Sequence, residues 1–330
     1  MPKLSVALAL YNGEKFINKQ LMSILNQTRK PDEVIIIDDC STDSTKDIVT
    51  DFIKLHGLTN WKFFAGEKNV GYRKNFYNCI VQTSGDIVFL CDQDDCWRSD
   101  KLEVCEQLYI NNPDMQALNS SFAFVDADDK EIPFKLKRGR ANNNLVYGEM
   151  AKSELKKIPI DDIIMYNISP GCTASVRRET ALKYVETSDC VMPHDWEINI
   201  LAAVKKGLYF YNEPLMFYRI HGDNTIGLKT QNSPIEFKMT GSIDVRKTVL
   251  KTQQAQLELA LKPYVCNVLN ESSQKFINHF KCFCDNRQII VYNRKLLPCL
   301  KNFWHYLFLQ KVETVHFRGL LGDIIYVLKH

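Results

Sequence analysis

Four short apolar runs, each closing on polar or acidic residues and separated by stretches of helical period, constrain this 330-residue chain most. Leu4–Leu10 is continuously apolar, and Glu14–Gln27 then places Ile17, Leu21, Ile24 and Leu25 on one helical face. The β-branched run Val34–Ile37, after Pro31, is too short for a helix. Ser41 or Asp43 can cap the next helix, with Ile48, Phe52 and Leu55 inward and Gly57 at its end. Trp61–Ala65 and Asp86–Cys91 read as further strands, with a helix over Arg73–Thr83 between them. This alternation predicts an α/β fold whose mostly parallel sheet is covered on both faces.

In an open parallel sheet, ligands gather at the carboxyl ends of the strands. The residues there are Tyr11-Asn12-Gly13, Asp38-Asp39-Cys40-Ser41, Gly66-Glu67-Lys68-Asn69 and Asp92-Gln93-Asp94-Asp95. Three carboxylates at the mouth of one buried strand repel unless a cation neutralises them. A hard divalent ion, Mg²⁺ or Mn²⁺, with a phosphate as co-ligand answers that need. The alternative is an acidic turn in which Asp94 or Asp95 caps a helix starting near Arg98. Asp38 and Asp39 can accept hydrogen bonds from a base or a ribose hydroxyl, or can join Ser41 and Asp43 in a helix cap. Tyr11 offers an aromatic face for stacking on a base. No G-x-G-x-x-G follows the first run and no G-x-x-x-x-G-K-[ST] occurs, which argues against dinucleotide oxidoreductases and P-loop enzymes.

Composition narrows the class further. With 45% hydrophobic and 25% charged residues, the chain is neither disordered nor a coiled coil. No stretch approaches the ~18 consecutive apolar residues of a membrane-spanning helix. The net charge of +3 conceals an asymmetry, because residues 229–330 hold 15 Lys and Arg against 7 Asp and Glu. An acidic body suits a cation-dependent site, and a basic tail suits an anionic surface such as a membrane. The eleven cysteines are odd in number and scattered, with Cys79, Cys91 and Cys105 inside apolar runs. Reduced thiols in a cytoplasmic protein follow from that pattern. The N-terminal run carries a single preceding lysine and reads as a buried first strand rather than a signal peptide. Met115–Val125 and Leu215–Ile220 read as strands, Glu197–Lys205 as a helix, and residues 126–160 as a polar excursion near the substrate.

Taken in order, these segments resemble family-2 glycosyltransferases of the GT-A fold. Ser5-Val-Ala-Leu-Ala-Leu-Tyr11-Asn12-Gly13 resembles the family's opening strand, and Asp38-Asp39-Cys40-Ser41-Thr42-Asp43 its D-D-x-S-x-D signature. Asn69-Val70-Gly71 with Asn75 resembles the N-x-G segment, and Asp92-Gln93-Asp94-Asp95-x-Trp97 the metal motif. His194-Asp195-Trp196 and Tyr218-Arg219-Ile220-His221-Gly222-Asp223-Asn224 resemble the rhamnosyltransferase-like branch. Ala9-Leu10 departs from the Pro-Thr of many members.

The resemblance implies an inverting, metal-dependent transfer of a sugar from a nucleoside-diphosphate donor, dTDP-rhamnose or a UDP-sugar, to an acceptor hydroxyl. The product would be a cell-surface polysaccharide or a lipid-linked oligosaccharide. Residues 1–228 would form the catalytic domain, with a nucleotide-sugar half to about residue 98 and an acceptor half beyond it. Residues 229–330 would form a basic helical extension. By motif position, Leu10, Tyr11, Asn12, Asp38, Asp39, Asn69, Gly71, Arg73, Asp92, Gln93 and Arg219 would bind the donor. Asp92, Asp94 and His221 would hold the metal. Asp95, Trp97, Gly171, Cys172, His194 and Trp196 would line the acceptor and sugar pocket. Asp195 would be the general base, or the N-cap of a helix beginning near Trp196.

From Leu296 to His330, aromatic and basic residues mix, which suits either an interfacial helix on the inner face of a membrane or a helix pair packed on the body. The acidic body lacks a basic-aromatic stripe for nucleic acid. Two rival functions remain at this point, a sugar nucleotidyltransferase of related fold and a non-catalytic nucleotide-sugar-binding scaffold.

Overall fold

The structure, a computed structural model, describes residues 1–164, 166–221, 243–309 and 317–329. Gly222, Asp223, Asn224 and the start of the basic region at Lys229 lie outside the described residues. The chain divides into two compact units, Met1–Ile158 with Asn167–Asn232, and Pro159–Tyr166 with Ser233–His330.

The first unit opens with β1 (Leu4–Leu10), α1 (Ile17–Leu25), β2 (Glu33–Asp38), α2 (Thr45–Leu55), β3 (Trp61–Ala65), α3 (Tyr72–Gln82) and β4 (Ile87–Cys91). The four strands are parallel and lie in the order β4-β1-β2-β3. Every residue of β1 and β4 is buried, so neither strand shows the polar alternation of a half-exposed sheet. Ile17, Leu21 and Ile24 of α1 are buried as expected. On α2 the expectation for Leu55 fails. It is the last helical residue and stands 80% exposed, while Val49, one turn before Phe52, takes the inward position. Gly57 follows at φ +61°, the left-handed conformation that ends a helix without strain when the residue is glycine.

After β4 come β5 (Cys96–Trp97), α4 (Lys101–Asn111), β6 (Ala117–Val125), β7 (Glu131–Ile132), β8 (Arg140–Ala141), β9 (Val146–Tyr147), β10 (Leu155–Lys157) and α5 (Ile160–Ile163). A 3₁₀ turn at Gly171–Thr173 leads to β11 (Ser175–Arg177), α6 (Arg178–Thr187), α7 (His194–Val204) and β12 (Leu208–Arg219). The main path of the ten-stranded sheet runs β10-β12-β6-β11-β4-β1-β2-β3, and its later half is mixed because β11 runs antiparallel to both neighbours. β12 begins seven residues before the Leu215 expected from its pattern, since Glu213-Pro214 interrupts the apolar run. The pairing with β6 shifts register around Pro214, the kind of irregularity at which a strand tolerates proline.

The chain leaves β1 toward β2 on one side and returns to β4 on the other. This reversal opens a crevice at the carboxyl ends of β1 and β4, where open α/β sheets bind ligands. The second unit is helical, with α5 joined by α8 (Ile243–Leu261), α9 (Pro263–Cys266), α10 (Glu271–Asn293), α11 (Leu296–Leu309) and α12 (Phe317–Lys329). Its buried residues include Leu250, Leu257, Phe280, Phe283 and Ile290, together with Asp323, which pairs with Arg246 and, at 3.3 Å, with Arg287. Among the described residues, no helix is long and apolar enough to cross a membrane.

Candidate active site

At the end of β1 the backbone turns sharply, with Asn12 at φ +49°. Asn12 N–H donates to Ser41 Oγ at 2.8 Å, and its Oδ1 accepts from Thr42 N–H at 2.9 Å. Tyr11, directly after β1, stays 46% exposed. Leu10, expected to touch the nucleotide, is instead buried in the core, because both faces of its strand are covered. Gln93 does not reach outward either. Its side-chain amide is bonded to the main chain of Tyr11.

The second acidic strand end is largely architectural. Asp38, fully buried, accepts from Ser41 N–H at 2.9 Å and from the Ser41 hydroxyl, with Lys46 Nζ 3.8 Å away. Asp39 receives Val70 N–H at 2.7 Å and Gly71 N–H at 2.8 Å, and Asn69 Oδ1 also accepts from Gly71 N–H. Gly71, at φ +84°, leads directly into α3. Asn75 donates to the carbonyls of Leu10 and Ile37 and so ties the ends of β1 and β2. Arg73, half-buried, donates to Tyr72 Oη at 2.9 Å.

The acids after β4 converge. Among the described residues, Asp92, Asp95 and Cys172 form a group whose ligand atoms lie within 4.8 Å of one another. Asp94 Oδ2 lies 2.9 Å from His221 Nε2. Thus Asp92, Asp94 and His221 divide between two sets, and Asp95, expected in the acceptor and sugar pocket, lies in the cluster with Asp92. Burial, reinforced by Asp94 and Asp195, pushes the Asp92 carboxyl up to about 7. Burial and the charges of Asp94 and Asp92 hold Asp95 well above the carboxylate range. Asp95 Oδ2 is buried with no hydrogen-bond partner among the described residues. Carboxylates so placed fit a hard divalent cation. Burial and the Asp95 charge push the Cys172 thiol well above its usual range, and its soft sulfur suits a hard divalent ion less well than the carboxylate oxygens do.

Several residues expected to line pockets are supports. Trp97 and Trp196 are buried to within a few per cent. Arg219, expected to bind phosphate, has no exposure. Its main-chain N–H donates to Asp95 Oδ1 at 3.0 Å, its Nε to the Asp94 carbonyl at 2.8 Å and its Nη1 to the Asp126 carbonyl at 2.9 Å, while Nη2 lies 2.5 Å from Asp129 Oδ1. Sitting at the end of β12, it bolts that strand to the acidic turn and the 126–129 loop. Lys101 is a residue the sequence pattern did not single out. It is buried beneath the acids, donates to the Cys172 carbonyl at 2.9 Å and lies 4.2 Å from the Trp97 ring centroid.

α7 starts at His194, with Pro193 at its N-cap position, so Asp195 lies in the first helical turn rather than at the cap. Asp195 Oδ2 accepts from Asn167 Nδ2 at 2.6 Å, and Asn167 Oδ1 in turn accepts from Asn199 at 3.1 Å. Asn167 was invisible to motif reasoning, whereas Asn199 stands four residues after Asp195 and shares its helical face. His194 stacks on Phe76 with ring centroids 4.0 Å apart. Burial, helped by the Arg73 charge, lowers its pKa to about 3, so the imidazole is neutral. Neither of its nitrogens has a hydrogen-bond partner among the described residues. Gly171 packs against His194 and Asp195, where a Cβ would stand 2.9 Å from His194 Nε2.

The profile described as glycosyl transferase family 2 matches residues 5–163, which include every strand-end motif from Tyr11 to Asp95. Over that segment the chain matches glycosyl transferase family 2, in line with the resemblance its motifs carry. A dTDP-rhamnosyl transferase, RfbG of Shigella flexneri, is 27% identical over 232 residues, 67% of this chain and 73% of the relative. Among solved structures, S. aureus TarS 1–349 in complex with UDP-GlcNAc superposes at TM-score 0.58 with 19% identity, covering 98% of this chain and 89% of that one. The mannosyltransferase PcManGT from Pyrobaculum calidifontis, in complex with GDP-Man and Mn²⁺, superposes at 0.53 with 15% identity, covering 99% and 86%. The shared architecture is the GT-A fold, as the family resemblance implies, with helices at the C-terminal end.

Proposed function

We propose that this glycosyltransferase moves a sugar, with inversion, from a nucleoside-diphosphate donor to an acceptor hydroxyl during synthesis of a cell-surface polysaccharide or lipid-linked oligosaccharide. The observation that carries this reading is the meeting of Asp195, oriented by Asn167, with the carboxylate cluster of Asp92, Asp94 and Asp95. The likeness to RfbG supports dTDP-rhamnose as donor, and the fold shared with TarS supports a UDP-sugar. The acceptor is a saccharide or lipid-linked saccharide, and the reaction is cytoplasmic, at the inner face of the membrane.

In this reading Tyr11 stacks on the base, and Asn12, Asp39 and Arg73 border the nucleotide. Asp195 takes the proton of the acceptor hydroxyl. The acceptor oxygen then bonds to the anomeric carbon from the opposite face, and the bond to phosphate breaks with its electron pair leaving on the nucleoside diphosphate. The neutral imidazole of His194 adds no charge beside Asp195. Asp92 and Asp94, with His221 next to Asp94, would hold Mn²⁺ or Mg²⁺, which when bound neutralises charge on the departing diphosphate.

The test is a panel of nucleotide sugars with and without Mn²⁺, followed by thermal shift and by release of nucleoside diphosphate. Asp195→Asn retains donor binding while transfer falls about 10²–10⁴-fold, the usual worth of a general base. Undiminished turnover in that variant removes Asp195 from the role. Asp94→Ala loses metal-dependent donor affinity by calorimetry, and unchanged affinity overturns the metal assignment. Release of pyrophosphate instead would indicate nucleotidyl transfer, and absence of any turnover a binding scaffold.

A further inference from the structure

Helix α11, with the sequence Leu-Leu-Pro-Cys-Leu-Lys-Asn-Phe-Trp-His-Tyr-Leu-Phe-Leu, is apolar on two opposite faces. Pro298, Cys299, Asn302 and Leu309 are buried. Leu297, Leu300, Trp304 and Leu307 recur at helical spacing on the other side and are 63%, 54%, 61% and 59% exposed. Phe308 flanks this stripe, stacked on His279 at 4.0 Å and edge-on to Trp304 at 5.7 Å. A helix with apolar residues on opposite faces is ordinarily covered on both. Its 14 residues are too few to cross a bilayer core, which takes about 20.

The charge carried along α10 and α11 selects among the ways to cover that face. From residue 275 to 309, Lys275, Lys281, Arg294, Lys295 and Lys301 are exposed, and Asp285 is the single acid. A second copy of the chain would bring two such cationic fields together. An anionic lipid surface would neutralise this one, with roughly 1 kcal/mol of attraction per basic residue near the surface being the general scale. Trp304, central in the stripe, has the amphipathic ring favoured at headgroup depth.

We infer that the outward face of α11 beds into the headgroup region of an anionic bilayer. The role this gives the second unit, delivery of the enzyme to a lipid-linked acceptor, rests on the proposed function, whereas the binding itself does not.

Trp304 reports on this contact, since Trp61, Trp97 and Trp196 are all less than a tenth exposed. The full chain is mixed with phosphatidylcholine vesicles, with or without phosphatidylglycerol. Tryptophan emission should shift to the blue and the protein should sediment with the phosphatidylglycerol vesicles alone, an effect that weakens with salt. Leu300→Glu with Leu307→Glu should weaken partitioning by about tenfold or more, because it places charge on the inserted face. Donor-induced thermal stabilisation should be retained in that variant. A protein that stays in the supernatant with unmoved emission overturns the inference. So does a blue shift that grows with protein concentration without lipid while the mass doubles, because a second copy then covers the face. Loss of nucleotide-sugar binding with vesicle binding intact would count against glycosyl transfer and leave the lipid contact standing.

Discussion

Gln93 and Tyr11 exchange two hydrogen bonds across the crevice: Tyr11 N–H donates to Gln93 Oε1, and Gln93 Nε2 donates to the Tyr11 carbonyl, each at 2.8 Å. The side-chain amide extends the pairing of β1 with β4 beyond its last main-chain partners, Leu8 and Cys91. Gly13 completes the arrangement, because a Cβ there would stand 2.5 Å from Gln93 Oε1. Gln93→Ala therefore frees the Tyr11 loop. Two hydrogen bonds at roughly 0.5–1.5 kcal/mol each predict a donor KM raised about tenfold, at about 1.4 kcal/mol per decade. Initial-rate kinetics should show kcat little changed, and an unaltered KM would mean that Tyr11 is held without this amide.

Gly171 controls the seat of Asp195. An added Cβ would meet His194 Nε2 at 2.9 Å and Asp195 Cβ at 3.2 Å, and His194 has little room to yield because it is stacked on Phe76. Gly171→Ala should displace the start of α7. A misplacement on the order of 1 Å can cost about 10² in rate, so kcat should fall by about that factor with donor affinity retained. Full activity in Gly171→Ala would show that the Asp195 seat tolerates the methyl group.

Far from the crevice, Glu33 sets an acid limit on stability. Burial alone would raise its pKa, but donation from Ser5 Oγ at 2.5 Å, Ser84 N–H and Ser84 Oγ outweighs that and holds it below 4.5. A carboxyl depressed in the folded state stabilises above its unfolded pKa and loses that contribution as pH falls through its folded pKa. Urea unfolding should thus show stability falling below about pH 4.5. Glu33→Gln should flatten that slope and cost about 1–3 kcal/mol at pH 7 by disturbing buried donors. An unchanged acid slope would assign the acid limit to other carboxyls.

The parallel half of the sheet was legible because its information is local. A fully buried strand must be continuously apolar, as Leu4–Leu10 and Ile87–Cys91 are, and acids immediately after such a run can only sit at the strand mouth. Less was legible after Val125, where Glu213-Pro214 masks the middle of β12 and residues 126–160 form strands of two or three residues.

Sequence by itself thus determined the β-α alternation and the carboxylates at its strand ends, since hydrophobic periodicity and turn chemistry act over a few residues. Tertiary structure alone decided which polar groups face the crevice and which brace it. Arg219 and Asp95 lie 124 positions apart and become one support only when β12 closes on the acidic turn. Asn167 reaches Asp195 only when the segment before the 3₁₀ turn folds against α7. A buried polar atom takes whichever partner the packed chain brings within hydrogen-bond reach, and no local pattern encodes that choice.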